Sequence, residues 1–273
     1  MGPLAAQLLL ESVAAPLLVA GLVMGAFRLG GDAIDSAPAL ALVLAFAATY
    51  FLAFGWPASH ALGSHAKIML ATIVGCSLGI AIDRGIWWSR LGLITGAVAI
   101  PLWIGLPSLT QQRPESALLL LPVLAAGALT ALIGRSGSVE RLPTLLTLIT
   151  LAFGTAVIAV VARTISFAEL ALALGAALLA ILAIGRRPLL VSAIITSALT
   201  LLALITALLL YSEASVWSLL MLTLVAGAVP LARLFGSGNR PPTPIGRVLL
   251  CCLLPAAAAI LIARIDAGSI STY

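Results

Sequence analysis

Trp88-Ser89-Arg90-Leu91-Gly92-Leu93-Ile94-Thr95-Gly96-Ala97-Val98-Ala99-Ile100-Pro101-Leu102 has a second version in the chain, Trp217-Ser218-Leu219-Leu220-Met221-Leu222-Thr223-Leu224-Val225-Ala226-Gly227-Ala228-Val229-Pro230-Leu231. The offset is 129 residues in a chain of 273. Eight of the fifteen positions are identical, among them Trp88/Trp217, Ser89/Ser218, Ala97/Ala226 and Pro101/Pro230. A chain rich in Leu and Ala matches itself by chance in places, but a shared Trp-Ser pair and a shared Pro are harder to obtain that way. Self-similarity at one spacing is the mark of a repeated unit. Outward from this stretch, Leu40 to Gly55 matches Leu170 to Gly185 at an offset of 130, and Leu120-Leu121-Pro122 matches Leu253-Leu254-Pro255. The chain divides into two halves, residues 1–136 and 137–273, in one integral membrane domain with no soluble domain.

The composition says what medium the halves occupy. Hydrophobic residues make up 62% of the chain and charged residues 8%. A soluble domain carries roughly 25% charged residues. So few charges cannot cover a water-facing surface, and the chain reads as an all-α polytopic membrane protein. The net charge of +5 does not point to nucleic acid, because the basic residues stand singly between apolar runs. No Lys or Arg precedes the first apolar run, as a secretory signal would require, so that run is expected to remain as a helix. Cys76, Cys251 and Cys252 lie inside apolar runs and are expected to be free thiols.

A membrane helix needs about 20 predominantly apolar residues. Ten runs qualify: 3–27, 39–56, 67–82, 87–106, 117–134, 142–162, 167–185, 189–210, 216–235 and 247–264. They are continuous rather than alternating, and open sheet edges cannot face lipid, so strands are not expected. With ten crossings the Lys and Arg of the connections divide ten to four between the two faces. Arg28, Arg84, Arg90, Arg135, Arg141, Arg186, Arg187, Arg233, Arg240 and Arg247 share one face; Lys67, Arg113, Arg163 and Arg264 share the other. The richer face is cytoplasmic by the positive-inside bias, which leaves both termini outside and suits a bacterial inner membrane. Each half then has five helices. An odd number makes the second half enter from the opposite face, giving the 5+5 inverted repeat found in many secondary transporters.

Pro101 and Pro230 interrupt the fourth and ninth helices, with Gly96 and Gly227 close by. A helical proline deletes one backbone hydrogen bond and crowds the carbonyl one turn back. Interruptions at matching positions of two halves point to a transporter's binding site, because freed carbonyls can face a solute there. The predicted site is a solute-sized cavity lined by Gly96, Ala97, Pro101, Gly227, Ala228 and Pro230. Two crossed, broken helices in a 5+5 fold resemble the architecture of the bile-acid symporters and auxin carriers. The chain departs from it in lacking the Asn, Gln, Asp or Glu ligands that their sodium-coupled sites use.

Glu11 is the proton or cation candidate, since ionisable residues at membrane depth are functional by default. Glu169, Asp83 and Arg233 fall at predicted helix ends, where an interfacial charge is the simpler explanation. His60, His65 and Lys67 fall in one outer connection, expected to be solvated, and no metal or other cofactor is expected. Trp87, Trp88 and Trp217 sit at run boundaries as interfacial anchors. No Ser/His/Asp set, HExxH or phosphate loop occurs, so no enzyme is expected unless it acts on a lipid through dispersed residues. Two functions compete: a secondary transporter or flippase of a small or amphiphilic solute, and a non-catalytic integral subunit. The expected partners are the bilayer and, on the second reading, other membrane subunits or further copies of the chain.

Overall fold

The computed structural model describes residues 7–29, 36–55, 63–86, 88–111, 141–184, 191–228 and 245–270, and these are helical apart from short turns. We number the helices in chain order. α1 spans Gln7–Arg28, its first part wound as a π-helix over Leu10–Ala14. α2 is Ala37–Phe54, α3 Ser64–Asp83, α4 Ser89–Gln111, α5 Arg141–Val161, α6 Ile165–Ile184 and α7 Val191–Tyr211. α8 is Val216–Thr223 and continues as a 3-10 turn over Leu224–Gly227; α9 is Ile245–Ile270. Among the described residues seven helices are long and apolar enough to cross a membrane, and Leu91–Pro107 and Val216–Gly227 are shorter apolar helices. The fifth predicted run, 117–134, lies outside the described residues.

The third run, the shortest in the sequence, becomes a 20-residue helix by extending into both flanks. That extension takes His65 and Lys67 out of the expected loop and places them in the first turn of α3. His60 lies outside the described residues. α5 ends in a left-handed residue, Arg163 at φ 58°, after which the Thr164 N–H returns to the Ala159 carbonyl at 2.9 Å. α3 ends the same way at Gly85, φ 71°, with Ile86 N–H on the Ala81 carbonyl at 3.0 Å. Such left-handed closures satisfy the last carbonyls of a helix and reverse the chain in a few residues.

α7 is the axis of the bundle: 94% of its apolar window is buried, against 17% for α1 and 28% for α9. It packs antiparallel along α3. Gly79 of α3 meets the backbone of Ser192, and a Cβ there would lie 2.5 Å from Ser192 Cα. One turn back, a Cβ on Gly75 would lie 3.1 Å from Thr196 Cα. Further along, Thr200 Oγ1 donates to Thr72 Oγ1 at 3.0 Å. The seam is a Gly-x-x-x-Gly on one helix against Ser192, Thr196 and Thr200, spaced by four, on the other. Small residues let membrane helices approach backbone to backbone, where van der Waals contact substitutes for the missing hydrophobic drive. Thr196, Ser197, Thr200 and Thr206 of α7 bond to carbonyls four residues back, as with Thr196 on Ser192 and Thr206 on Leu202, both 2.7 Å, whereas the buried Ser192 Oγ has no partner among the described residues. For a hydroxyl in an apolar surrounding, its own helix supplies the nearest acceptor.

The other helices alternate in direction around this pair. α1 packs on α2 and α6, α2 also on α6, α5 on α6, and α4 on α3 and α7. α8 and α9 pack on each other and on α5. Cys76, Cys251 and Cys252 are free thiols on α3 and α9.

Candidate functional site

α4 carries two prolines, Pro101 and Pro107. Pro101 has no N–H for the Ala97 carbonyl, and Pro107 has none for the Trp103 carbonyl. The neighbours answer the second break. Lys67 Nζ on α3 donates to the Trp103 carbonyl at 2.9 Å and lies 5.5 Å from the centroid of the Trp103 ring. Tyr211, the last residue of α7, donates its Oη to the Ile104 carbonyl at 2.6 Å. The end of α4 is thus tied to both members of the central pair through carbonyls rather than side chains. Nearer its start, α4 rests on α3 through Gly92 and Gly96, whose Cβ positions would lie 2.8 and 3.4 Å from Leu78 methyls.

The predicted lining residues fall on two separate packing surfaces. Gly96 is half-buried, and Ala97 and Pro101 are buried, on α4, whose main neighbours are α3 and α7. Gly227 is half-buried and Ala228 buried, in and just after the 3-10 turn that follows α8, whose main neighbours are α9 and α5. Pro230 lies outside the described residues. The two interruptions also differ in kind. α4 stays α-helical through Pro101, whereas the second half narrows to a 3-10 turn over Leu224–Gly227, just short of Pro230.

A second polar cluster gathers at the same end of the bundle. The π-helical turn holds Glu11, whose Oε1 accepts from Gln7 Nε2 at 2.9 Å. The Glu11 backbone carbonyl accepts from Thr49 Oγ1 of α2 at 3.3 Å. Glu169 of α6 lies within electrostatic reach of the Glu11 carboxylate. A π-bulge often marks a functional turn in a helix. Beside this cluster His65 is held between two rings, 4.6 Å from Phe54 and 4.8 Å from Phe167, both stacked, with Ser166 Oγ 3.0 Å from its Nε2. His65 therefore joins α2, α3 and α6 and is not a solvated loop residue.

At the opposite end Asp83 closes the central seam, its Oδ2 accepting from the Ser192 N–H at 3.1 Å. A carboxylate at a helix N-terminus satisfies an otherwise open amide and complements the helix dipole. Trp88 and Trp217, 52% and 68% exposed, stand at opposite ends of the bundle, as interfacial anchors should.

Pro107, Lys67 and Tyr211 were not prominent in the sequence. Pro107 reads as a turn signal and Lys67 as an orienting charge. Counting four residues back from each proline is the available clue, since it identifies Trp103 as the carbonyl in need of a donor. Comparison with known protein families, with characterised proteins and with solved structures finds no match to this chain.

Proposed function

We propose that this integral membrane protein is a secondary transporter or flippase of a small or amphiphilic solute, working by alternating access of two inverted halves of five spans each. The observation that carries the proposal is the pairing of equivalent helices. The sequence matches α2 with α6 and α4 with α8, and by order in the two halves α1 and α3 then take the places of α5 and α7. α3 packs on its counterpart α7, and α2 on its counterpart α6. The pairing of α1 with α2 has its equivalent in that of α5 with α6. Thr72 and Thr200, which touch, are 128 residues apart, within two of the repeat offsets. Equivalent residues meet each other beside a two-fold axis, and an antiparallel crossing of the two helices is what an axis in the membrane plane would give, which supports the likeness to inverted-repeat transporters.

Helix direction supports a tenth crossing. α4 ends beside Lys67 and Tyr211, at the His65 end of the bundle. α5 runs toward that end, finishing four residues before Ile165, so it begins at the other. The chain between Gln111 and Arg141 joins opposite ends and contains the fifth apolar run. On this proposal the basic-rich Asp83 end is cytoplasmic.

The site is proposed beside Ala97 and Pro101, with Gly227, Ala228 and Pro230 as its counterpart. Backbone carbonyls and small side chains suit an amphiphile better than a bare ion, which needs strong ligands to replace its water. Thiol labelling tests this. In a variant with Cys76, Cys251 and Cys252 replaced by Ser, Ala97→Cys should react with a membrane-impermeant maleimide added to either face of oriented vesicles. Protection from both faces would refute alternating access here.

A non-catalytic subunit of a larger complex is the second reading, and one observation favours it: the α3–α7 seam is closely packed, with backbone against backbone at Gly79. Protection of Ala97→Cys together with a stoichiometric partner retained through mild solubilisation would establish that reading instead.

A further inference from the structure

We infer that the outer part of α4, from Pro101 to Gln111, is a releasable strap, latched by Lys67 and Tyr211 across the ends of α3 and α7 at the His65 end of the bundle. Its use as a gate rests on the transporter reading; the latch itself does not.

Three observations on different residues lead here. First, α4 is held in two unlike ways. Its early part is keyed to α3 by Gly92 and Gly96 against Leu78. Its late part is tied by two donors on backbone carbonyls, Lys67 on Trp103 at 2.9 Å and Tyr211 on Ile104 at 2.6 Å. Second, Pro101 stands between these parts, and Pro107 has no N–H with which to occupy the Trp103 carbonyl. The latch therefore uses an acceptor that an ordinary helix would have filled internally. Breaking it costs no helical hydrogen bond, and a proline already weakens the helix at the hinge. Third, the strap covers closed structure. Ile104 is fully buried, while Leu102, Trp103 and Leu106 around it are exposed on the opposite side. Swinging the strap away would expose Ile104 and the ends of α3 and α7 without disturbing the Gly79–Ser192 contact at the other end.

Lys67 suits a latch. Its ammonium makes one bond to a carbonyl and sits over the Trp103 ring, and no ion pair of Lys67 is found among the described residues. A cation over an indole is attracted by the ring face yet remains able to return to water or a headgroup. Tyr211, 40% exposed, likewise combines an apolar body with a polar tip at an interface.

The test is the labelling rate of a single cysteine at Ile104 in the Ser-substituted background, with Leu93→Cys on the early part of α4 as reference. Lys67→Met with Tyr211→Phe should raise the Ile104→Cys rate at least tenfold and leave Leu93→Cys within twofold. Pro107→Ala should restore the internal bond and make Ile104→Cys labelling insensitive to Lys67→Met. If the double variant does not fold, Tyr211→Phe alone in the Lys67→Arg background provides the same comparison. An unchanged rate at Ile104→Cys, an equal rise at Leu93→Cys, or a Lys67→Met effect that persists with Pro107→Ala would each overturn the strap. Strap release with Ala97→Cys still protected from both faces would refute alternating access alone. Two-sided labelling of Ala97→Cys that ignores the latch variants would refute the strap alone.

Discussion

At the scale of single residues, a few polar side chains among the described residues join helices, while many others bond within their own helix. His65 shows this most directly. Its ring fills the gap between Phe54 and Phe167, and its Nε2 meets Ser166. Aromatic pairs add about 0.5–1.5 kcal/mol each beyond buried area. His65→Ala should therefore destabilise the detergent-solubilised protein by roughly 1–3 kcal/mol, while His65→Phe, which keeps the stack and loses only the Ser166 bond, should recover most of it. Thermal unfolding followed by reporter-dye binding checks this; equal losses for the two variants would mean the hydrogen bond, not the stack, holds the site. Arg163 offers the opposite case. At φ 58° it occupies backbone space that suits glycine, so Arg163→Gly should leave stability unchanged or raise it by up to about 1 kcal/mol. A loss above that amount would show that the guanidinium has a role of its own.

At the scale of helices, close approach holds the α3–α7 seam more than hydrogen bonding does. Hydrogen bonds between membrane helices average only about 0.6 kcal/mol, because the unpacked helix finds other partners. Thr72 already donates to the Ile68 carbonyl at 3.0 Å. Thr72→Val should then cost less than about 1 kcal/mol. Gly79→Ala is different in kind, since its Cβ would sit 2.5 Å from Ser192 Cα and backbone cannot move aside cheaply. It should cost about 1–3 kcal/mol, as overpacking does. Gly25→Ala on α1 is the control: nothing lies within 4 Å of its Cβ position, and it should be neutral or slightly stabilising. Comparable losses at Gly79 and Gly25 would remove the seam's special status.

At the scale of the whole molecule, the inverted repeat we propose makes a prediction about the part of the chain between Gln111 and Arg141. Topology reporters fused after Gln111 and after Arg141 should read opposite faces of the membrane, with Arg141 cytoplasmic. The same face for both would leave the first half with an even number of crossings, and the halves would then share one orientation. Reporters after Gly55 and Gly85 should also read opposite faces, since those glycines close α2 and α3 at the two ends of the bundle.

The all-helical, apolar character and the seven helices long enough to cross a membrane were legible because lipid imposes a rule that any spanning sequence must display. A spanning segment has to be continuously apolar and long, and an interruption has to be a Gly or Pro that shows by name. The repeat we propose rests on paired Trp and Pro residues that stand out from a Leu/Ala background. Which helix lies at the centre was not legible. α7 and α9 have the same mean hydropathy, 2.5, yet 94% of one and 28% of the other is buried. Lipid tails and a protein interior are equally apolar, so hydropathy cannot distinguish a helix that faces protein from one that faces lipid. The latch was hidden too. Pro107 shows that the Trp103 carbonyl lacks its helical donor, but only the packing of α3 and α7 against α4 decides that Lys67, 36 residues earlier, supplies one and that Tyr211, 107 residues after Ile104, takes the next carbonyl. Local chemistry creates the vacancy in a helix; the three-dimensional arrangement of neighbours selects which side chain fills it.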